Sequence, residues 1–333
     1  MSVFIIAEAG VNHNGSINQA LALIDVAVEA GADVVKFQTF KANNLVSKTL
    51  EQAEYQTENT GKQQTQYELL KQLELSEADH KQLINHCETN NIQFMSTPFD
   101  DASIELLAKL KMKTWKIPSG ELLSIPYLRK IAKLNKSTIL STGMANMDEI
   151  ELAVTTLLTA GLSRDNLTIL HANTAYPTPY QDVNLQAMLS IQKNFSVKIG
   201  LSDHSLGIEV PIAAVAMGAK VIEKHFTLDK TLPGPDHKAS LEPNELKAMI
   251  SAIRNVELAL GDGVKKASNS EKINKNKSRK RIVAKQEIKK GDLFSSQNVT
   301  LKRAKMGEEA KNWDKVIGCK SVKSFEIDEG ILL

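Results

Sequence analysis

The stretch Val197-Lys198-Ile199-Gly200-Leu201-Ser202-Asp203-His204-Ser205 contains the pattern that decides the fold. A short, mostly apolar run is followed at once by polar and ionisable side chains, and a helical pattern comes next. Seven other segments repeat this order, from Phe4–Ala9 at the start to Lys220–His225 at the end. Apolar strands that alternate with helices are typical of a parallel sheet buried on both faces.

Eight such units occupy about the first 260 residues, which is the size of a (β/α)₈ barrel, or TIM barrel. A doubly wound open sheet is the alternative, but no Gly-x-Gly-x-x-Gly turn follows the first strand. We therefore predict an α/β fold with a TIM-barrel catalytic domain over residues 1–262. A linker over residues 263–281 and a small β-rich domain over residues 282–333 should follow.

The composition is that of a globular protein, since 42% of the 333 residues are hydrophobic and 24% are charged. This excludes a disordered or fibrous chain. The longest apolar stretch, Val210 to Ala219, is too short to cross a bilayer. The first residues show no basic segment or cleavage site, so no secretory signal is expected, and two cysteines cannot form a disulfide framework. We expect a cytoplasmic protein with no membrane partner.

Charge is distributed unevenly along the chain. Residues 261–333 carry 18 Lys and Arg against 10 Asp and Glu, whereas residues 1–260 carry 23 against 29. A basic tail on an acidic body can bind nucleic acid, or it can dock on a body of its own kind. The tail has no interleaved aromatic residues and no nucleic-acid motif, so docking is favoured and no nucleic-acid partner is expected.

Polar side chains follow every predicted strand. The C-terminal ends of barrel strands converge on one face, so these side chains should share one site. A single one of them would usually be structural, but a ring contributed by all eight strands indicates an occupied, solvated site. The main candidates are Glu8, Lys36, Gln38, Thr97, Lys116, Ser119, Glu121, Ser141, Thr174, Tyr176, Ser202, His204, His225 and Asp236.

His204 and His225 end neighbouring strands, so their imidazoles should meet. Two histidines with oxygen ligands and open positions suit Mn²⁺, Fe²⁺ or Zn²⁺. The alternative is a hydrogen-bonded pair in which one histidine is a general base. Glu8 and Glu121 are further acid–base candidates.

Two lysines and three serines form a second group, which suits a phosphate or carboxylate. The alternative is that the lysines only form ion pairs with Glu8, Glu121 or Glu223. The group consists of Lys36, Lys116, Ser119, Ser141 and Ser202.

Five other residues have less specific readings. His13 lies in a Gly- and Asn-rich loop and could touch substrate, whereas His171 should be structural. His80 and His86 lie on a predicted helix and are expected at the surface. Trp115 should pack within the barrel rather than stack on a ligand.

Together these motifs resemble the sialic acid synthase family along nearly the whole chain, including an antifreeze-like (SAF) domain at residues 282–333. The resemblance is carried by Ile6-Ala7-Glu8-Ala9-Gly10-Val11-Asn12-His13-Asn14-Gly15, Val35-Lys36-Phe37-Gln38-Thr39, Ser96-Thr97-Pro98-Phe99-Asp100, Lys116-Ile117-Pro118-Ser119-Gly120-Glu121, Leu140-Ser141-Thr142-Gly143-Met144, Tyr176-Pro177-Thr178-Pro179-Tyr180, Gly200-Leu201-Ser202-Asp203-His204-Ser205, Glu223-Lys224-His225-Phe226-Thr227, Gly234-Pro235-Asp236-His237 and Ile288-Lys289-Lys290-Gly291.

The resemblance implies an enzyme that condenses phosphoenolpyruvate with an N-acetylated open-chain hexose to give a nonulosonic acid and phosphate. It implies a divalent metal, usually Mn²⁺ with Mg²⁺ or Co²⁺ as alternatives, held by His204 and His225. It also implies a domain-swapped homodimer in which Arg303 of one subunit reaches the partner's sugar. By the same resemblance, phosphoenolpyruvate is bound by Lys36, Lys116, Ser119, Ser141, Thr174 and Ser202, and the sugar by Gln38, Thr97, Tyr176 and Asp236.

The chain departs from the family pattern in two places that bear on the site. Lys302-Arg303-Ala304-Lys305 replaces a frequent Arg-Pro-Gly-Asn-Gly, which leaves the loop shape around Arg303 open. Ala172-Asn173-Thr174 replaces a Cys-containing run, which leaves open whether Asn173 or Thr174 touches phosphoenolpyruvate.

The sugar is predicted from two stretches, residues 53–61 and Trp115 to Leu123, which look most like bacterial N-acetylneuraminate synthases. N-acetylmannosamine is therefore favoured. The alternative is a diacetamido-dideoxy hexose that leads to legionaminic or pseudaminic acid. Two other classes stay open: a metal-dependent aldolase, and a non-catalytic protein that carries an antifreeze-like domain.

Overall fold

The computed structural model describes residues 2–52, 57, 59, 61 and 63–333. The chain divides into two compact units, residues 1–261 and 262–333. Residues 53–56, 58, 60 and 62 lie outside the described residues, so much of the stretch that favoured N-acetylmannosamine cannot be placed.

The first unit is a ring of eight parallel strands, as predicted. Its strands are β1 Phe4–Gly10, β2 Val34–Thr39, β3 Gln93–Pro98, β4 Thr114–Ile117, β5 Ser137–Ser141, β6 Leu167–Ala172, β7 Lys198–Asp203 and β8 Val221–His225. The spatial order is β3-β2-β1-β8-β7-β6-β5-β4. The ends of this sheet, β3 and β4, meet where Gln93 Nε2 donates to Thr114 Oγ1 at 3.1 Å. The predicted TIM barrel is confirmed.

Helices follow the strands and cover the barrel. They are α1 Ile17–Ala30, α2 Ala42–Leu45, α3 Gln66–Leu73, α4 Glu77–Thr89, α5 Asp101–Lys109, α6 Ile125–Ala132, α7 Met147–Thr159, α8 Gln186–Phe195, α9 Glu209–Ala216 and α10 Pro243–Leu260. Within the described ranges, no helix is long and apolar enough to cross a membrane.

Local signals in the sequence set the helix ends. Ser76 accepts from the N–H of Asp79 while the Asp79 carboxylate accepts from the N–H of Ser76, so α4 starts with a capping box. Gly31 ends α1 with a left-handed φ of 81°, which costs glycine little. The apolar strand residues, such as Ile5, Ile6 and Val35, are fully buried between the barrel interior and the helices.

The long connection from Lys41 to Leu75, expected to be functional or a cover, contains α2 and α3. Leu69 and Leu73 of α3 pack with Val11 and Phe40 in a small apolar cluster, and Phe99 lies against it. The connection is thereby fixed beside the ends of β1, β2 and β3.

The second unit is small and β-rich. It contains α11 Asn269–Ser278, β9 Arg281–Ala284, β10 Val299–Lys302 and α12 Trp313–Val316, and β9 pairs antiparallel with β10. Its own apolar core includes Ile282, Phe294 and Phe325. The stretch predicted as a linker, residues 263–281, contains α11. Its described side chains are exposed up to residue 280, whereas Arg281 is half-buried and begins β9.

Candidate active site

The predicted site residues gather at the C-terminal ends of the barrel strands. The registers place Glu8 opposite both Lys36 and His225, and Ser202 opposite Glu223. These side chains surround a cavity of about 180 Å³. It is lined by Glu8, Lys36, Gln38, Thr97, Phe99, Lys116, Pro118, Ser119, Gly120, Ser141, Met144, Thr174, Tyr176, Ser202, His204, Glu223 and His225.

A buried cluster of two lysines and two carboxylates forms one wall. Lys36 Nζ lies 2.8 Å from Glu8 Oε2 and 3.4 Å from Glu223 Oε2. Lys116 Nζ lies 3.1 Å from Glu223 Oε1. The ion pairs weighed as an alternative are thus present with Glu8 and Glu223, yet both ammonium groups also face the cavity, so the two readings are compatible.

The carboxylates in this cluster differ in proton affinity. Burial raises the pKa of Glu8 to about 7, against the pull of the Lys36 ammonium. Burial opposes ionisation of Glu223 as well, but Lys116 and Lys36 together hold its pKa well below the ordinary value. Glu223 is therefore a permanent counter-ion, whereas Glu8 can hold or release a proton near neutral pH.

Two imidazoles and a phenol ring form another part of the lining, next to this cluster in the strand register. The rings of His204 and His225 are 5.5 Å apart between centroids, and the Tyr176 ring lies 4.2 Å from that of His204. Burial lowers the pKa of His204 to about 4 and that of His225 well below its ordinary value. Both rings are therefore neutral, which is the form that binds metals.

The hydrogen bonds of the two imidazoles differ. His204 Nδ1 donates to the carbonyl of Asn173, so its Nε2 carries a lone pair, and Ser202 Oγ lies 3.5 Å from that Nε2. His225 Nδ1 is buried and has no hydrogen-bond partner among the described residues, while Asp236 Oδ2 lies 3.9 Å away. The described residues contain no group of three or more His, Cys, Asp and Glu side chains that could hold a metal. Two neutral imidazoles with an open nitrogen nevertheless fit a divalent metal that takes its other ligands from substrate or water.

The remaining wall is a cradle of hydroxyls around Gly143. The N–H of Gly143 donates to Ser119 Oγ at 2.9 Å. A Cβ at this position would lie 2.6 Å from Thr174 Cγ2 and 2.8 Å from Ser119 Oγ, so only glycine fits. Ser141 Oγ is buried and lacks a hydrogen-bond partner within the described part of the chain. Such a wall is suited to a small anion.

Comparison with known proteins identifies the family of the chain. A model described as the NeuB family matches residues 23–265, and a SAF domain model matches residues 279–333. The chain belongs to the NeuB family. The predicted resemblance to sialic acid synthases with a C-terminal SAF domain is thereby confirmed.

Three relatives of this NeuB-family chain bear on its substrate. N,N'-diacetyllegionaminic acid synthase of Campylobacter jejuni is 52% identical over 98% of this chain and 97% of that protein. N,N'-diacetyllegionaminic acid synthase of Legionella pneumophila is 47% identical over 96% of this chain and 90% of that protein. A crystal structure of an N-acetylneuraminic acid synthetase from Leptospira borgpetersenii is 35% identical, covers 82% of this chain and 90% of that one, and superposes with a TM-score of 0.71.

Four predicted site residues need separate comment. Thr174 lines the cavity, whereas the side chain of Asn173 donates to the Asp182 carbonyl and accepts from the Ala175 N–H. Glu121, on a half-buried turn, is not among the lining residues. Asp236 is buried beside His225, just outside the lining.

Arg303 belongs to the second unit and is exposed beyond the end of β10. The loop after it turns at Gly307, which has a φ of 122°. A Cβ there would lie 2.7 Å from the Ile282 carbonyl. Gly307 is therefore the tight point of this turn.

The other histidines and the tryptophan are mostly structural. His171 Nε2 donates to the Val183 carbonyl at 2.7 Å, and Trp115 is in the barrel core, as predicted. His13 is fully buried, its Nδ1 accepts from the Gly15 N–H at 3.0 Å, and it does not line the cavity. The prediction that His80 lies at the surface is wrong: it is fully buried and bonded to Thr39 Oγ1 at 2.7 Å.

Three apolar lining residues are not predicted from the sequence, namely Phe99, Pro118 and Met144. Phe99 and Pro118 directly follow β3 and β4, and Met144 comes three residues after β5, so position in the barrel is the available signal. Polar character, on which the site prediction rests, does not mark them.

Proposed function

We propose that this NeuB-family protein condenses phosphoenolpyruvate with an N-acetylated open-chain hexose and water, giving a nonulosonic acid and phosphate. One observation carries the proposal. A single cavity is lined by two buried ammonium groups with several hydroxyls, and also by two neutral imidazoles. The first set suits a small phosphorylated carboxylate, and the second suits a metal-assisted carbonyl group.

The phosphoenolpyruvate anion would lie against Lys36 and Lys116. Both are almost completely buried, so little water competes for their charge. Ser141 Oγ and the cradle at Gly143 supply additional donors, and Thr174 closes the wall. Ser202 is already engaged, because it donates to Glu223 Oε1 at 2.8 Å, so we assign it to holding that carboxylate as well as the anion.

We propose that His204 and His225 hold a divalent cation, with Mn²⁺ as the first choice and Mg²⁺ or Co²⁺ as alternatives. When bound, the cation would supply Lewis-acid polarisation of the sugar carbonyl. The chain fixes both imidazoles in the neutral form and keeps His225 Nδ1 free of other hydrogen bonds within the described residues.

The side chains of the protein then position and protonate the reactants. The lysines hold C3 of phosphoenolpyruvate near the aldehyde carbon, which saves the entropy of bringing two substrates together. After C3 attacks, water adds at C2 and the tetrahedral phosphate collapses with cleavage of the C–O bond. The aldehyde oxygen takes up a proton as C3 attacks, and the water that adds at C2 gives one up. Glu8 is in the cavity with a pKa of about 7, so we assign to its carboxyl group both the donation to the aldehyde oxygen and the removal from the water. Glu121 does not line the cavity and is given no such role.

The sugar pocket would be formed by Gln38, Thr97 and Tyr176, with Asp236 behind His225. Two relatives at 52% and 47% identity are N,N'-diacetyllegionaminic acid synthases, whereas the sialic acid synthetase structure is 35% identical. This favours the alternative over N-acetylmannosamine. We therefore propose a diacetamido-dideoxy hexose as substrate and N,N'-diacetyllegionaminic acid as product.

The test supplies purified protein with Mn²⁺, phosphoenolpyruvate and each of three sugars, and measures phosphate release. We expect the largest kcat/KM with the sugar that leads to legionaminic acid. A larger value with N-acetylmannosamine or the pseudaminic acid precursor would overturn the sugar assignment only. Phosphate from none of them would overturn the condensation, and sugar cleavage without phosphoenolpyruvate would point to an aldolase. His225→Ala is the control and should lose turnover while keeping its fold.

We further propose that the protein is a domain-swapped homodimer in which Arg303 contacts the sugar in the partner's barrel. Its support is the resemblance to sialic acid synthases, the exposed position of Arg303 and the basic charge of residues 261–333.

A further inference from the structure

A second polar cluster lies between β7 and β8 and does not line the cavity. Lys224 is completely buried, and its Nζ lies 2.5 Å from Asp203 Oδ2. The two residues are direct neighbours across the parallel ladder. Successive strand residues point to opposite faces, so this pair lies on the face away from Ser202 and Glu223, which line the cavity.

The same cluster holds the turn that follows β7. Lys224 Nζ also donates to the carbonyl of Ser205. Ser205 returns two bonds to Asp203 Oδ1, one from its N–H at 3.0 Å and one from its Oγ at 2.8 Å. His204 therefore stands between two residues that are both fixed to one lysine.

The inner and outer contacts act on the same two strand ends. On the cavity side, Ser202 and Glu223 are joined across the ladder by a hydrogen bond of 2.8 Å. On the other side, Asp203 and Lys224 are joined by the ion pair. His204 directly follows Asp203, and His225 directly follows Lys224. The distance between the two imidazoles therefore depends on the Ser202–Glu223 hydrogen bond and the Asp203–Lys224 ion pair.

We infer that Lys224, with Asp203 and Ser205, is a positioning device that sets the relative placement of the His204 and His225 imidazoles. The inference rests on the proposed function, because it requires the two histidines to act as a pair. A buried ion pair contributes little net stability compared with apolar residues of the same size. Its contribution here is geometric: it fixes a loop carbonyl that no apolar side chain could hold.

The test compares two variants of the full chain with a matched control. Lys224→Met removes the ammonium but leaves the Asp203 carboxylate buried. The double variant Asp203→Asn with Lys224→Met removes both charges. It leaves no unpaired buried charge, so it should fold even if the single variant does not. The control is Arg254→Met, since Arg254 makes two ion pairs, to Asp33 at 2.9 Å and Glu257 at 3.0 Å, that do not involve any residue of the cavity.

Four quantities are measured for each variant: the melting temperature, the Kd of Mn²⁺ by electron paramagnetic resonance, and kcat and KM below the melting transition. For the double variant we expect Mn²⁺ binding and kcat to weaken by roughly 10- to 100-fold, as is usual when groups that orient metal ligands are lost. KM for phosphoenolpyruvate should change less than threefold, or about 0.7 kcal/mol. Arg254→Met should lower only the melting temperature.

The outcomes separate this inference from the proposed function. Wild-type binding and turnover that persist unchanged in the double variant, or that are lost equally in Arg254→Met, would overturn the positioning role alone. Wild-type protein that neither binds Mn²⁺ nor releases phosphate would overturn the proposed function, and the inference with it.

Discussion

Ser141 has a buried hydroxyl that faces the cavity without a hydrogen-bond partner among the described residues. We predict that Ser141→Ala raises KM for phosphoenolpyruvate by roughly 30-fold, or about 2 kcal/mol, as for a lost bond to a charged group. The melting temperature should not fall, because no bond within the protein is removed.

Ser202→Ala is the matched control for this prediction. Its hydroxyl donates to Glu223 Oε1, so its loss should lower stability by about 1–2 kcal/mol as well as weaken the anion site. Steady-state kinetics and thermal unfolding of both variants provide the check. An unchanged KM in Ser141→Ala would mean that the anion lies elsewhere.

The buried His13 should make the free energy of unfolding depend on pH. Burial, helped by His80, lowers its pKa to about 4, from an ordinary value of 6.5. The unfolded chain therefore binds a proton that the folded chain does not, and stability falls as the pH drops from about 6.5 towards 4. Because one pKa unit corresponds to about 1.4 kcal/mol, the loss should reach about 3 kcal/mol.

Urea unfolding of wild type and His13→Gln between pH 7 and pH 4 measures this contribution. The free energy of unfolding of the variant should fall less steeply over that interval. Parallel curves would show that His13 does not titrate differently in the two states.

At the scale of the element, helix α4 supports the strand ends through His80. Its Nδ1 donates to the Ser76 carbonyl, so Nε2 must accept from Thr39 Oγ1. Thr39 Oγ1 in turn shares a hydrogen bond of 2.6 Å with Ser96 Oγ. Thr39 directly follows Gln38, and Ser96 directly precedes Thr97, so this chain of bonds fixes both proposed sugar ligands from behind.

We predict that His80→Leu lowers stability by about 2–4 kcal/mol and raises KM for the sugar more than KM for phosphoenolpyruvate. His86→Leu on the same helix is the control, because its partner Asp25 is exposed and the pair should contribute at most about 1 kcal/mol. Equal shifts of the two KM values in His80→Leu would indicate a purely structural histidine.

The elements differ in how far their sequence predicts them. The ends of the strands can be predicted from the sequence, because a switch from apolar to polar residues marks both the strand and the site, as at Lys116 and Ser141. His80 was misread because histidine was counted as polar, although it falls three and seven residues before the buried Leu83 and Cys87 and so lies on the same helix face. The Lys224 cluster could not be predicted, since a lysine in a strand gives no sign of its buried partner.

At the scale of the whole molecule, the sequence predicted two units, and each has its own core. The order of apolar and polar residues does not predict how one unit lies against a partner chain. The proposed role of Arg303 therefore rests on the resemblance to sialic acid synthases, on its exposed position and on the basic charge of residues 261–333.

Mixing two inactive variants tests the exchange between subunits. His225→Ala and Arg303→Ala are each expected to be inactive, but subunits exchanged between them would form one intact site in each mixed dimer. We predict recovery of about a quarter of wild-type activity, since random exchange gives half mixed dimers with one working site of two. No recovery, with mixed dimers confirmed by native mass spectrometry, would show that Arg303 does not act across subunits.

The measurement that tests the central proposal most directly is mass spectrometry of both products after turnover in ¹⁸O-labelled water. The account predicts a nonulosonic acid of the mass expected for phosphoenolpyruvate joined to the diacetamido sugar, with the label in that acid and unlabelled phosphate. Label in the phosphate, or the absence of any condensed acid, would contradict it.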